Sequence, residues 1–297
     1  MNIIILGKNG QIGSSLFKTF MGETQCRAFD SREANLLDEK KLRKLIREIK
    51  PQVIINAAAY TAVDQAEHNE IEVFKLNARG PEILGEEATD IGASVIHFST
   101  DYVFNGKKHT PYLETDKTNP LNVYGAAKLE GEKLLKAACP QSIILRTSWV
   151  VSDHGQNFLK TILNLAHEKE SLHIVSDQVG APTSDYFLAG MTKMLVYKLK
   201  IEDRNHFPFG LYHLAPRGET NWYDFAKLVI AEAIRLGDAF KVTPDMIHPI
   251  KTQDYPSLAK RPLNSRLNTE HFENTFGVTL PRWEDGVFAI MKALYQC

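Results

Sequence analysis

Met1-Asn-Ile-Ile-Ile-Leu6-Gly7-Lys-Asn-Gly10-Gln-Ile-Gly13 opens the chain, and this stretch decides the fold. An apolar run at 3–6 stops on a glycine, two further glycines follow at intervals of three, and 14–20 has a helical pattern. Glycines permit a tight turn and a close approach of the backbone to a pyrophosphate. The helix that follows offers free N–H groups and a partial positive charge at its N-terminus. The spacing Gly-x-x-Gly-x-x-Gly differs by one residue in the turn from the more familiar Gly-x-Gly-x-x-Gly. Its place between a strand and a helix still marks a dinucleotide loop, with Gly7, Gly10, Gln11, Ile12 and Gly13 as cofactor-binding candidates.

The same alternation continues outward from this loop. Short apolar runs at 3–6, 27–29, 53–56, 94–98 and 142–145 read as strands, and helical periods at 14–20, 40–49 and 70–88 separate them. Strands alternating with helices imply βαβ units and a parallel sheet covered on both faces. The runs are continuously apolar, as strands buried on both faces should be. The expected class is α/β, a doubly wound parallel sheet of the Rossmann kind over 1–148. A smaller mixed α/β, mainly substrate-binding region is expected over 149–297, with some segments returning to the sheet. In that second part the loops lengthen, and helices are expected at 158–167, 188–199 and 222–236, the last capped by Thr220 or Asn221.

The carboxyl ends of the expected strands carry polar or small residues, where a parallel sheet binds its ligands. Asp30 ends the second strand, where an acid can bond an adenosine ribose hydroxyl, and so favours NADH; Ser31 and Arg32 could take a 2′-phosphate, which keeps NADPH open. Asn35 and Leu36 would lie near the adenine. Ala57, Ala58 and Ala59, after Asn56, are small enough to let a flat cofactor pass, although tight helix–sheet packing would explain them almost as well; Thr61 and Val63 continue into the cleft. Ser99 and Thr100 end the fourth strand, and a hydroxyl there can bond a substrate carbonyl and a catalytic phenol together.

That phenol is Tyr124. Tyr124 and Lys128, four residues apart, lie one above the other on a helix. A phenol near its ordinary pKa of about 10 is a poor proton donor or acceptor at neutral pH. A lysine charge at about 4 Å is worth roughly 4 kcal/mol at an effective dielectric near 20, enough to change that. Thr100, Tyr124 and Lys128 are therefore the catalytic candidates, with Ser99, Tyr124 and Lys128 also facing the cofactor.

Composition narrows the alternatives. The 297 residues carry 35 basic and 36 acidic side chains with no basic block, which disfavours nucleic acid or an anionic membrane as partner. No apolar run approaches the roughly 20 residues of a membrane span, and 1–6 reads as a buried strand and not a signal peptide. Cys26, Cys139 and Cys297 are scattered and odd in number, so a reducing cytoplasm is expected. The ten histidines include no pair at metal-ligand spacing, so no metal site is expected from them.

Together, Gly7-x-x-Gly10-x-x-Gly13, Asn56-Ala-Ala-Ala, Ser99-Thr-Asp-Tyr-Val-Phe104, Glu114-Thr-Asp, Pro120-x-x-x-Tyr124-Gly-x-x-Lys128 and Gly131-Glu132 make the chain resemble the extended short-chain dehydrogenase/reductases. Leu145-Arg-Thr-Ser-Trp149, Asp177-Gln-x-Gly-Ala-Pro-Thr183, Tyr212-His-Leu and Arg261-Pro-x-Asn-Ser265 narrow it to those acting on a dTDP-sugar. The resemblance implies hydride transfer from NADPH or NADH to the C4 ketone of dTDP-4-dehydro-6-deoxy-L-mannose, giving dTDP-L-rhamnose for cell-surface polysaccharide. Tyr124 would donate the proton. Lys128 would lower its pKa and hold the nicotinamide ribose, and Thr100 would orient the carbonyl. Asp101, Tyr102 and Trp149 would contact the sugar nucleotide, with 180–183 lining the same pocket.

Two departures qualify the resemblance. Related dehydratases carry an acid directly after Thr-Asp, where this chain has Tyr102, so elimination of water is not expected. Some relatives dimerise through Mg²⁺ held by glutamates; here Ser15 stands at one such position and only Asp185 lies near another, so Mg²⁺ is doubtful and a monomer or metal-independent homodimer is expected. The alternatives are an NADP-binding regulatory subunit resembling that of methionine adenosyltransferase, or a reductase or epimerase of another nucleotide sugar.

Overall fold

The computed structural model describes residues 1–22 and 25–295; Cys297, one of the scattered thiols, lies outside them. The first half alternates β1 (Ile3–Leu6), α1 (Gln11–Phe20), β2 (Cys26–Phe29), α2 (Glu39–Ile49) and β3 (Val53–Asn56). It continues through α3 (Gly80–Ile91), β4 (Ser94–Thr100), α4 (Val123–Ala138) and β5 (Ser142–Thr147). A strand from the second half, β6 (Gly210–His213), completes a six-stranded sheet in the order β6-β5-β4-β3-β1-β2, with every pairing parallel. The expected doubly wound α/β architecture is present.

The continuous apolar strands are explained by the two cores they feed. Successive side chains of a strand point to opposite faces. Ile3, Ile5, Val53, Ile55, Ile96 and Phe98 pack on one face with Leu16 and Phe20 of α1. Ile4, Leu6, Ile54 and Val95 pack on the other with Leu42 and Ile46 of α2, Leu84 of α3 and Leu135 of α4. The second half builds a further core from its own helices, including Leu159, Ile162, Phe225, Val229, Val287 and Met291. It also returns α5 (Asp185–Ile201) to the sheet face beside α1, through Leu188, Ala189 and Leu195. Among the described residues, no helix is long and apolar enough to cross a membrane.

The helix expected over 70–88 is interrupted. α-Helical turns at Glu70–Phe74 and in α3 flank a π-helical turn, Lys75–Arg79. Pro81 has no N–H with which to bond the Asn77 carbonyl four residues back, so an unbroken ladder is unavailable there. The wider turn lets α4 approach closely: a Cβ on Gly131 would fall 2.1 Å from the Asn77 oxygen. The Asn77 side chain then pins the strap after β3, accepting from the Tyr60 N–H at 2.8 Å and donating to the Tyr60 carbonyl at 3.0 Å. Of the two candidate caps for the helix at 222, Asn221 fills the role, accepting from the Asp224 N–H at 2.8 Å.

Candidate active site

The chain runs from β1 to β2 on one side and then places β3 on the other, so β1 and β3 flank the point where strand order reverses. Ligands of open parallel sheets bind there, outside the carboxyl ends of the strands. Two adjoining cavities of about 370 and about 230 Å³ lie at this edge and share Gly10 and Ala57, Ala58 and Ala59.

The smaller cavity is lined by Gly7, Asp30, Asn35 and Leu36 as well as by the shared residues. Gly7 has φ 87°, and a Cβ there would meet the Ala58 nitrogen at 2.7 Å. A side chain at Gly13 would lie 2.0 Å from the Gly7 oxygen, so this glycine closes the loop from behind and lines neither cavity. The first turn of α1 has no side-chain cap, which leaves its N–H groups facing the cradle. Asp30 is engaged in its own turn: it accepts from the N–H groups of Arg32 at 2.9 Å and Glu33 at 3.2 Å and from the Asn9 amide at 3.1 Å. The Arg32 amide leads the contacts that hold its carboxyl below the ordinary range.

The larger cavity gathers Gln11, Ile12, Thr61, Val63, Ser99, Thr100, Asp101, Tyr102, Tyr124, Lys128 and Trp149. Asn122 starts α4 by accepting from the Gly125 N–H at 2.8 Å, and a Cβ on Gly125 would fall 2.2 Å from the Tyr102 oxygen. This close dock of α4 on the turn after β4 brings Tyr124 beside Thr100 and edge-on to Tyr102, with ring centroids 5.8 Å apart. Thr100 donates to Asp101 at 3.2 Å and accepts from the Tyr102 N–H at 3.2 Å.

Electrostatics in this pocket are governed by desolvation. Burial pushes Tyr124 up to about 12; the Thr100 hydroxyl opposes the rise and Asp101 adds to it. Burial also lifts Asp101 to about 7, with the hydroxyls of Ser265 and Thr100 offsetting part of the effect. Lys128, 2% exposed, is lowered to about 8 by burial, against the opposing charge of Glu132. Its amine donates to the Phe98 carbonyl at 2.6 Å and faces His97 Nε2 at 3.1 Å. The lysine is thus engaged with β4, and burial, not the lysine, sets the tyrosine's proton affinity here.

Ser99 reaches the cavity wall, but its hydroxyl donates to Glu132 at 2.5 Å. Glu132 is also gripped by Arg146 at 2.9 and 2.7 Å, a buried pair that ties α4 to β5. The 180–183 loop does not line the cavity. It backs Trp149 from below, because Gly180 leaves room only for that ring: a Cβ there would lie 2.7 Å from Trp149. Trp149 adopts φ 47° and stacks on Trp222, which was not foreseen because nothing local links the start of a helix at 222 to the end of β5. His97 and Asn77 were missed for the same reason.

Ser15 is buried, and Asp185 accepts from the Ser152 hydroxyl at 2.7 Å; burial raises Asp185 to about 6. Among the described residues, no group of three or more metal-ligating side chains converges.

Comparison with known proteins places this geometry. A family described as "RmlD substrate binding domain" matches residues 1–296. The chain is 42% identical over 299 residues to a dTDP-4-dehydrorhamnose reductase of Escherichia coli (strain K12), covering 99% of this chain and 98% of that one. Among solved structures, a dTDP-4-dehydrorhamnose reductase from Clostridium acetobutylicum superposes with a TM-score of 0.90 at 36% identity, covering 99% of each chain. One from Bacillus anthracis, in complex with NADP, superposes with a TM-score of 0.89 at 31% identity, covering 99% of this chain and all of that one, at 100%.

Proposed function

Because the chain belongs to the RmlD substrate binding domain family, we propose that it reduces the C4 ketone of dTDP-4-dehydro-6-deoxy-L-mannose to dTDP-L-rhamnose with NADPH or NADH. The observation that carries this reading is the convergence of Thr100, Tyr124 and Lys128 in one cavity contiguous with the glycine cradle.

The cradle fits a dinucleotide: Gly7 and Gly13 leave no space for a side chain, and the uncapped N-terminus of α1 faces the pyrophosphate position. Bound there, the cofactor supplies the hydride. Asn35 and Leu36 border the adenine end, with Asp30 and Ser31 at the ribose, and Ala57, Ala58 and Ala59 form the wall. Residues 1–148 would thus hold mainly the cofactor and 149–297 mainly the sugar nucleotide.

Thr100 orients the ketone oxygen and donates to it as negative charge develops. Tyr124 gives its phenolic proton to that oxygen. A tyrosine held near 12 keeps its proton through the working range and can still protonate an alkoxide, which is the stronger base. Lys128, one turn away, engages the nicotinamide ribose and, when it carries its proton, steadies the phenolate left behind. Asp101, Tyr102 and Trp149 contact the sugar. Tyr102, in place of a carboxylate, leaves the site without the acid that would eliminate water. The protein acts as a monomer or as a homodimer that needs no metal, so EDTA should leave its mass in light scattering unchanged.

The test is loss of reduced-nicotinamide absorbance with dTDP-4-dehydro-6-deoxy-L-mannose. Turnover to dTDP-L-rhamnose is expected. Pure protein that binds NADPH without turnover would overturn the reading in favour of a non-catalytic, cofactor-binding role.

A further inference from the structure

Behind the site lies a buried polar chain, Asn56–His97–Lys128, whose members are 1%, 1% and 2% exposed. Asn56 on β3 and His97 on β4 are register partners. The Asn56 Oδ1 accepts from the Ala58 N–H at 3.1 Å, which fixes the amide orientation and leaves its NH₂ group facing His97 Nδ1 at 3.0 Å. An amide NH₂ can only donate, so Nδ1 must be a bare acceptor. A neutral ring then carries its proton on Nε2, directed at the Lys128 amine 3.1 Å away. An Nε2–H can bond that nitrogen only when the lysine offers a lone pair. Lys128 as a neutral amine accepts from His97 and donates to the Phe98 carbonyl. Lys128 as an ammonium would face His97 donor to donor.

We propose that His97 is a positioning residue that sets the ionisation of Lys128, its tautomer locked by Asn56 so that it hydrogen-bonds the uncharged amine. A bond to the neutral form disfavours the charged one. The groups around the lysine bear on the same balance. Glu132, one turn further along α4, favours the charge but is itself neutralised by Arg146 from β5. Tyr124 lies one turn earlier, Asp101 stands on the turn after β4, and β3 contributes only the uncharged Asn56. Burial together with Lys128 keeps His97 well below its ordinary value, so the ring itself stays neutral.

This inference rests on the reductase reading for its kinetic arm but not for its spectroscopic arm. In His97→Gln, the side-chain amide can turn its oxygen toward an ammonium, so charged Lys128 is favoured. The basic limb of kcat/KM for NADPH, which lies near pH 8 if Lys128 governs it, should then move up by about one unit. A purely structural role would lower the profile without moving the limb, and an unmoved limb overturns the proposal. The second arm is ¹⁵N NMR of the wild-type protein labelled at histidine. His213 is also buried, but its Nδ1 faces the carbonyls of Tyr112 at 3.0 Å and Asn268 at 3.2 Å and must carry the proton. His97 should therefore appear as the non-titrating ring with a bare Nδ1, and His213 as its opposite. A bare Nε2 on both buried rings overturns the proposal even if His97→Gln fails to fold. Absence of turnover in the wild type overturns the reductase reading and leaves the tautomer result standing on its own.

Discussion

Trp149 holds its backbone at φ 47° and lies face to face on Trp222, with ring centroids 3.6 Å apart and planes inclined by 15°. A residue with a side chain in the left-handed region costs of order 1–3 kcal/mol and persists only where its surroundings over-determine it. Here Gly180 below, Trp222 above and the Gln178 side chain, which accepts from the Trp222 indole at 3.0 Å, supply that constraint. Gly180→Ala should force the Trp149 ring out of place. The expected outcome is a rise of about tenfold in KM for the dTDP-sugar, equivalent to ~1.4 kcal/mol, with the Kd for NADPH unchanged. An unaltered KM would show that the stacked pair does not shape the sugar site.

In the proposed mechanism, removing the phenolic hydroxyl removes only the proton donor. Tyr124→Phe should lower kcat by about 10²–10⁴-fold, the range for general acid catalysis, while fluorescence titration finds cofactor affinity close to wild type. Near-normal kcat would assign the proton to another group.

Glu132 and Arg146 form a salt bridge in which both partners are nearly inaccessible, with the Ser99 hydroxyl as a third contact. Glu132→Leu would leave an arginine charge buried without its partner. A loss of about 3–5 kcal/mol in denaturant unfolding is expected, with a lowered Tm. A loss below ~1 kcal/mol would place this pair among ordinary surface bridges.

The dinucleotide cradle is closed by two glycines in contact. Gly13→Ala would set a methyl group 2.0 Å from the Gly7 oxygen, so the loop must open. Loss of NADPH binding by at least about tenfold is expected, measured by isothermal titration on protein whose circular dichroism remains native.

Asp101 contributes to the pH dependence of stability. Its carboxyl rises from near 4 in an unfolded chain to about 7 in the fold. The folded form keeps a proton that the unfolded chain has already lost, so this contribution to stability declines as pH rises through that window and is flat above it. The Tm of the wild type relative to Asp101→Asn should therefore fall between about pH 4 and pH 7. A pH-independent difference would show that the carboxyl titrates normally.

The sheet and the cradle were readable because their signals are local. Continuous apolar runs imply strands buried on both faces, and glycines between a strand and a helix imply a turn that admits phosphate. The meeting of Thr100, Tyr124 and Lys128 in one cavity was readable because a strand end and a helical spacing already place hydroxyl, phenol and amine on a common edge. The break at Lys75–Arg79 was not, although Pro81 was in view, because a proline says where a helix is weakened and not how the chain adapts.

The amino-acid sequence by itself determined the alternation of strands and helices, the polar edge of the sheet and the residue types gathered there, since each depends on neighbours a few positions apart. Only the tertiary structure decided what those groups feel. It set Lys128 against His97, turned Ser99 onto Glu132, raised Asp101 and Tyr124, and laid Trp149 on Trp222. Proton affinity and ring stacking depend on burial and on partners from distant segments, and no spacing along the chain encodes a desolvation energy.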